Sequence, residues 1–265
     1  MFVFIIGEFM IKYLVSLAML LNIAYAKDVS IVLTEENSVI FNQPVSTEYT
    51  SQKTLEILSK SAKTSPLYLV LDTPGGSVLA GLKFIDAIKS LNIKVHTITL
   101  FAASMGYQIA QELDIRYITP SGTLMSHRGA ISGISGQIPG ELNARINFIG
   151  SILDSMSERA AKRVNMSKKE YDEKIVNELW SFGQQAVNTN QADFVANVTC
   201  ENSLVKKTYE QEVFTLFGSA VLKFSKCPLI SAPVSMEFKK DVKPEDATKI
   251  KQLLDSRKKT VNITF

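Results

Sequence analysis

The segment that most limits the fold is the apolar run Leu67-Tyr68-Leu69-Val70-Leu71, followed at once by Asp72-Thr73-Pro74-Gly75-Gly76 and then by a helical pattern over 78–91. An unbroken apolar run of this length, with no polar alternation, describes a strand buried on both faces. Such a strand belongs inside a parallel sheet, because crossover connections lay helices on both of its faces. The neighbouring segments fit that frame. Residues 30–34 and 38–41 read as short strands, 54–62 as a helix, 93–100 as a strand, 104–112 as a short helix and 115–118 as a further strand containing Arg116. Strand, helix, parallel strand is the grammar of an α/β fold. Segment 141–164 follows Pro139-Gly140 and carries Leu142, Ile146, Ile149, Ile152, Leu153 and Met156 on one stripe, as a long amphipathic helix does. Ser167-Lys168-Lys169-Glu170 has the spacing of a capping box. Past residue 195 the rhythm fades, with 213–224 reading as a strand or paired strands and 245–256 as a helix.

Composition narrows the classes. Of the 265 residues, 46% are hydrophobic and 21% charged, which excludes long disorder, a collagen-like fibre and a multi-span membrane protein. A balance of 29 basic to 26 acidic residues leaves no concentrated basic face for nucleic acid, so no nucleic-acid partner is expected. From Met10 the chain runs through Lys12 and an apolar stretch over 13–23 to Ala24-Tyr25-Ala26, and then turns polar at Lys27 and Asp28. That is the pattern of a secretory signal peptide over 1–26. An uncleaved membrane anchor is the alternative, but it needs about 20 apolar residues. Export allows a disulfide to persist, and Cys200 and Cys227 are the only cysteines in the chain. Two unpaired buried thiols are the alternative. Neither cysteine spacing nor any other motif calls for a metal or a cofactor.

Three strand ends carry candidate chemistry. Gly75-Gly76 allow a close backbone approach and can aim N–H groups at a developing negative charge, although a plain strand-to-helix turn has the same sequence. In Ala102-Ala103-Ser104-Met105-Gly106, a serine among small residues at a helix start suits a nucleophile, and it equally suits an N-cap. His127, in Met125-Ser126-His127-Arg128-Gly129, has the chemistry of a general base near neutral pH. The other histidine, His96, sits mid-strand and reads as structural.

In this order, Asp-Thr-Pro-Gly-Gly-Ser-Val, Ala-Ala-Ser-Met-Gly and Met-Ser-His resemble the proteolytic subunit family of the Clp protease over about 38–194. The resemblance implies an α/β fold of Clp/crotonase-like repeated ββα units, with 141–164 as a protruding handle that pairs rings. It implies that Ser104 is the nucleophile, that His127 is the base, and that the N–H groups of Gly76 and Met105 form the oxyanion hole. A peptide or protein substrate and a homo-oligomer follow in the same way. The family's third triad residue is an Asp, and the matching position here is Asn177 or Glu178, with Asp172 a more distant candidate. The family works with an ATP-driven unfoldase, a partner not expected of an exported chain.

The expected organisation is therefore a signal peptide at 1–26, a Clp-type serine protease-like domain at 27–195 and a C-terminal α/β appendage at 196–265. The leading expectation is an exported serine endopeptidase. The alternatives are an inactive scaffold or binding protein of the same fold, and a Ser–Lys peptidase similar to signal peptide peptidase A.

Overall fold

Parallel strands joined by helices form the centre of the structure, a computed structural model that describes residues 29–131, 134–238, 242 and 245–252. The expected signal peptide lies outside the described residues. In chain order the elements are β1 (Val29–Leu33), β2 (Ser38–Phe41), α1 (Thr47–Ser61), β3 (Leu67–Thr73), α2 (Val78–Ser90), β4 (Val95–Ala103), α3 (Met105–Glu112) and β5 (Arg116–Ser126). Then follow α4 (Glu141–Arg163), α5 (Lys168–Lys174), β6 (Leu179–Phe182), α6 (Gly183–Asn188), β7 (Phe194–Cys200), α7 (Asn202–Lys206), β8 (Thr208–Thr215), β9 (Gly218–Ser225) and β10 (Ser235–Phe238). Residues 245–252 are helical.

The main sheet has the order β1-β7-β5-β4-β3-β2, all parallel, with β6 antiparallel beside the end of β5. Strand β3, between β4 and the edge strand β2, shows why the run at 67–71 is apolar throughout. Leu67, Leu69 and Leu71 enter the large core under the helices, while Val70 enters a smaller core on the opposite face with Ile31, Leu33, Ile98 and Leu204. Successive side chains of a strand point to opposite faces, and here both faces are covered. Each fully buried leucine of this kind contributes roughly 1.5–3 kcal/mol.

Two elements, helix α1 and strand β5, run well beyond their sequence-predicted bounds. Helix α1 begins at Thr47 because Ser46 caps it, its hydroxyl accepting from the Tyr49 N–H at 3.2 Å. Strand β5 runs on past Ile118 to Ser126. The ladder with β4 pairs Thr99 with Ile118 and resumes at Phe101 with Thr123, so residues 119–122 loop out opposite Leu100 without ending the strand.

A buried guanidinium ties the sheet together. Arg116, 4% exposed, donates to Asp193 through Nη2 at 2.6 Å and Nε at 3.2 Å, and its Nη1 donates to Gln111. Burial works against ionisation of Asp193, but hydrogen bonds from the Arg116 side chain and backbone, with its charge, hold the carboxyl below the usual range. The contact joins the start of β5, the end of α3 and the turn before β7. Strand β7 itself crosses residue 196, so the parallel sheet continues into the C-terminal segment.

Beyond α7 the chain forms a separate antiparallel sheet, β10-β9-β8. Cys200, at the end of β7, is bonded to Cys227, just after β9, with the two Cα atoms 5.9 Å apart. Glu35 reinforces the join by accepting from Lys207 and from Lys226, the latter at 3.1 Å. Helix α4 buries only Met156, Ala160 and Ala161, all in its second half, and projects an exposed first half bearing Ile146 and Phe148. Among the described residues no helix is long and apolar enough to cross a membrane.

Candidate active site

The carboxyl ends of β3, β4 and β5 finish side by side. Thr73 pairs with Ala102, Ala102 with Leu124 and Ala103 with Met125, and the Ser104 N–H then donates to the Met125 carbonyl at 2.9 Å. Parallel sheets commonly place ligands outside this edge. Here it gathers Gly75-Gly76, Ser104 and His127 from three stretches of sequence.

Ser104 behaves unlike the other helix-opening serines. Ser46, Ser77 and Ser167 each accept a hydrogen bond from a backbone N–H of the helix they precede. Ser104 caps nothing, and its backbone is held at φ 55°, ψ −118°. A non-glycine residue at positive φ costs on the order of 1–3 kcal/mol and persists only where its surroundings enforce it. The sharp strand-to-helix turn thus leaves the hydroxyl unused by the helix. Its partly exposed side chain stands at the mouth of a cavity of about 320 Å³.

Gly75 and Gly76 shape the wall beside it, with φ values of 89° and 144°. A Cβ on Gly75 would lie 2.7 Å from Ser104 Cβ and 2.8 Å from the Met105 nitrogen, so only glycine fits. A Cβ on Gly76 would lie 2.6 Å from the Val45 carbonyl oxygen. Val45 donates to the Gly75 carbonyl at 2.7 Å and accepts from the Ser77 N–H at 2.9 Å. This parallel bridge uses the groups on one side of the segment and turns the Gly76 N–H to the other. Met105 is the first residue of α3, so its N–H has no partner within the helix. Neither N–H donates to a protein acceptor among the described residues. Two unspent donors beside an uncapped serine are the components of an oxyanion hole.

His127 follows β5 directly and lines the same cavity as Ser104, together with Val78, Leu153, Met156 and Ile175. No hydrogen bond joins the imidazole to the hydroxyl in this structure. Pairs of this kind often tighten only when a substrate is bound. Behind His127 the polypeptide is anchored by Ser126, whose buried hydroxyl bonds that of Tyr171 at 2.7 Å. Tyr171 is fully buried, and burial pushes its hydroxyl pKa above the ordinary tyrosine value.

The expected third members stand outside the cavity. Asn177 and Glu178 are both exposed, and neither lines it. The β5–β6 ladder pairs Met125 with Trp180 and ends at Ser126 with Leu179. Glu178 is the residue just before β6. Its carboxylate accepts from the Trp180 indole at 3.0 Å, and its backbone sits at φ 63°. Asp172 does line the cavity, but its carboxylate takes the Lys168 ammonium at 2.6 Å, an ammonium shared with Asp154 at 3.1 Å. Those two carboxylates hold Lys168 above its usual pKa.

Sequence reasoning did not find Asp154, Arg128 or Tyr171. The stripe on 141–164 included Leu153 and so came within one residue of Asp154. Tyr171 carries no spacing signal, because its partner Ser126 is 45 residues away. His96 lies in β4 with Nδ1 accepting from the Ile115 N–H at 3.3 Å, far along the strand from the carboxyl edge. Among the described residues no group of three or more His, Cys, Asp or Glu side chains is placed to hold a metal.

Comparison with known sequences adds an independent line. A sequence model of the family described as Clp protease matches residues 22–198. The chain is similar to an ATP-dependent Clp protease proteolytic subunit of Anthoceros angustus, 29% identical over 177 residues that cover 65% of this chain and 86% of the relative. It is similar also to proteolytic subunit 1 of Chlamydia muridarum, 29% identical over 163 residues covering 57% of this chain and 85% of the relative. Over a shorter stretch of 111 residues it is 37% identical to proteolytic subunit 1 of Chlamydia pneumoniae, covering 40% of this chain and 58% of the relative.

Proposed function

This chain belongs to the Clp protease family, and from that premise we propose that it is an exported serine endopeptidase acting through an acyl-enzyme. Ser104 Oγ attacks the peptide carbonyl while His127 accepts its proton. The Gly76 and Met105 N–H groups receive the oxyanion, each worth about 3 kcal/mol in the transition state. His127 then returns the proton to the leaving amine, and water releases the acyl group by the reverse sequence. We assign the third role, orienting the imidazole, to Glu178, an acid as the family's third residue is.

One observation carries this reading. Ser104 is held at positive φ without capping its helix, beside two unspent backbone donors and on a cavity shared with His127. The family membership supports a peptide or protein substrate and an assembly of several copies, with the exposed half of α4 as a contact between them. The apolar start of the sequence supports export, and an exported chain works without an ATP-driven unfoldase. Intact-mass measurement on purified protein tests removal of 1–26.

The deciding experiment is labelling of the full chain by a fluorophosphonate, with Ser104→Ala as control. The expected outcome is labelling of the parent protein, none of the variant, and loss of peptide cleavage by about 10⁶-fold in kcat. Cleavage that survives Ser104→Ala overturns the proposal. The Glu178–Trp180 bond favours a second reading, a scaffold with the same fold and an imidazole left unoriented. That reading expects no labelling of the parent protein. A Ser–Lys mechanism instead expects His127→Ala to keep most of the activity.

A further inference from the structure

Tyr171, on α5, is fully buried, and its hydroxyl bonds that of Ser126 at 2.7 Å. Ser126, 1% exposed, is the last residue of β5 and the one before His127. On its other side the same hydroxyl meets α3, the helix that follows Ser104. Tyr107 and Gln108 of that helix stand beside it and partly offset the rise that burial gives its pKa. Gln108 also lines the cavity and donates its backbone N–H to the Ser104 carbonyl at 3.2 Å. Tyr171 therefore sits between the segment that carries the nucleophile and the segment that carries the base.

Backbone pairing holds β5 as far as its end. The Met125 carbonyl accepts from the Ser104 N–H at 2.9 Å, and Ser126 pairs with Leu179 of β6. His127 lies one residue past that end, outside every ladder. The Ser126 side chain is the last fixed point before it. Its partner is itself held firmly. The Tyr171 N–H bonds the Ser167 carbonyl at 3.0 Å, and the Ser167 hydroxyl caps α5 on the Glu170 N–H at 3.2 Å. A phenylalanine ring would fill the same space without the cost of burying a hydroxyl. The hydroxyl is explained by the bond it makes, and that bond lies between the two halves of the site. Groups that do chemistry are held in place by neighbours locked in this way.

We propose that Tyr171 is a positioning residue for catalysis, its hydroxyl tying the Ser126 side chain to α5 and α3 so that His127 leaves β5 in the direction of Ser104. This rests on the serine-peptidase reading above. Tyr171 touches neither the substrate nor the reacting atoms, and acts only through Ser126 and His127.

A double-mutant cycle on the full chain tests it, with peptide turnover and the denaturant midpoint measured for every variant. Tyr171→Phe keeps the ring and removes only the hydroxyl. It should lower kcat about tenfold with KM unchanged, because a small misplacement of a catalytic group slows the chemistry without weakening substrate binding. Ser126→Ala removes the other end of the bond and should cost about the same. The double variant should be no slower than either single one, since both remove one interaction. In a His127→Ala background, Tyr171→Phe should slow the residual turnover no further. A tyrosine that only fills the core would lower the midpoint and leave the kcat of the folded protein unchanged. That result overturns the inference, as do a loss confined to KM, additive losses in the double variant, or a further fall beneath His127→Ala. Absence of Ser104-dependent turnover in the parent chain overturns the peptidase reading itself and takes this inference with it, an outcome distinct from the other four.

Discussion

The parallel sheet and the C-terminal antiparallel sheet are held in different ways. The first is fixed from within: β3 is covered on both faces, Arg116 is locked under the helices, and the candidate site is shaped by backbone at three strand ends. The second has a smaller buried set, with Ala220, Leu222 and Ile250, and is clasped to the rest by one disulfide and by Glu35 between two lysines. Its strand β8 is exposed along most of its length, and Leu216 at the hairpin tip is completely exposed. A region stabilised by burial is sensitive to atoms added or removed anywhere. A clasped region is sensitive mainly at its clasps.

After Ser104→Ala, the largest effect should come from the glycine wall of the candidate site. Gly75→Ala places a methyl group against Ser104 and the Met105 N–H, and should lower kcat by roughly 10²–10³-fold, as loss of an oxyanion donor does. Turnover equal to that of the parent protein would show that the site does not use this wall. Arg116→Ala should destabilise the parallel sheet by about 3 kcal/mol, because half-buried Asp193 loses its buried partner and keeps only the more exposed Arg163 at 3.3 Å. Denaturant midpoints measure this, and a loss confined to the C-terminal sheet would contradict the comparison. Cys200→Ser should cost about 3 kcal/mol, felt first in β8–β10. Hydrogen exchange should rise there while fluorophosphonate labelling of Ser104 stays unchanged. Equal loss of protection in both sheets would erase the distinction.

The smallest effect is an acid dependence of the join. Hydrogen bonds from Lys207 and Lys226 hold the Glu35 carboxyl down at about 2. A depressed folded-state value means the contribution is complete above the ordinary glutamate pKa of about 4.3 and is lost as pH falls towards 2. Between those values, proteolysis of β8–β10 should accelerate in the parent protein. In Glu35→Gln that acid-dependent step should be missing.

Much of the parallel sheet could be read in advance because its rules are local. Five apolar residues in a row mark a doubly buried strand, and Ser-x-x-Glu marks the start of α5. The nucleophile side was legible for the same reason: small residues and glycines around Ser104 are what a tight approach of backbone to backbone needs. Pairings between distant residues were not legible. Pro120-Ser121-Gly122 looked like the end of a strand, yet β4 absorbs them at Leu100. Nothing near Arg116 in sequence announces Asp193.

The order of strands also sets a schedule. Strand β1 touches the main sheet only through β7, with Val29 beside Ala196 and Leu33 beside Cys200. A ribosome delivers these two strands far apart in time, and β7 waits with one hydrogen-bonding edge to fill. Closing so long a loop is slow. Until it closes, β1 is a sticky ribbon seeking a neighbour, and the second half of the chain decides whether that neighbour is its own.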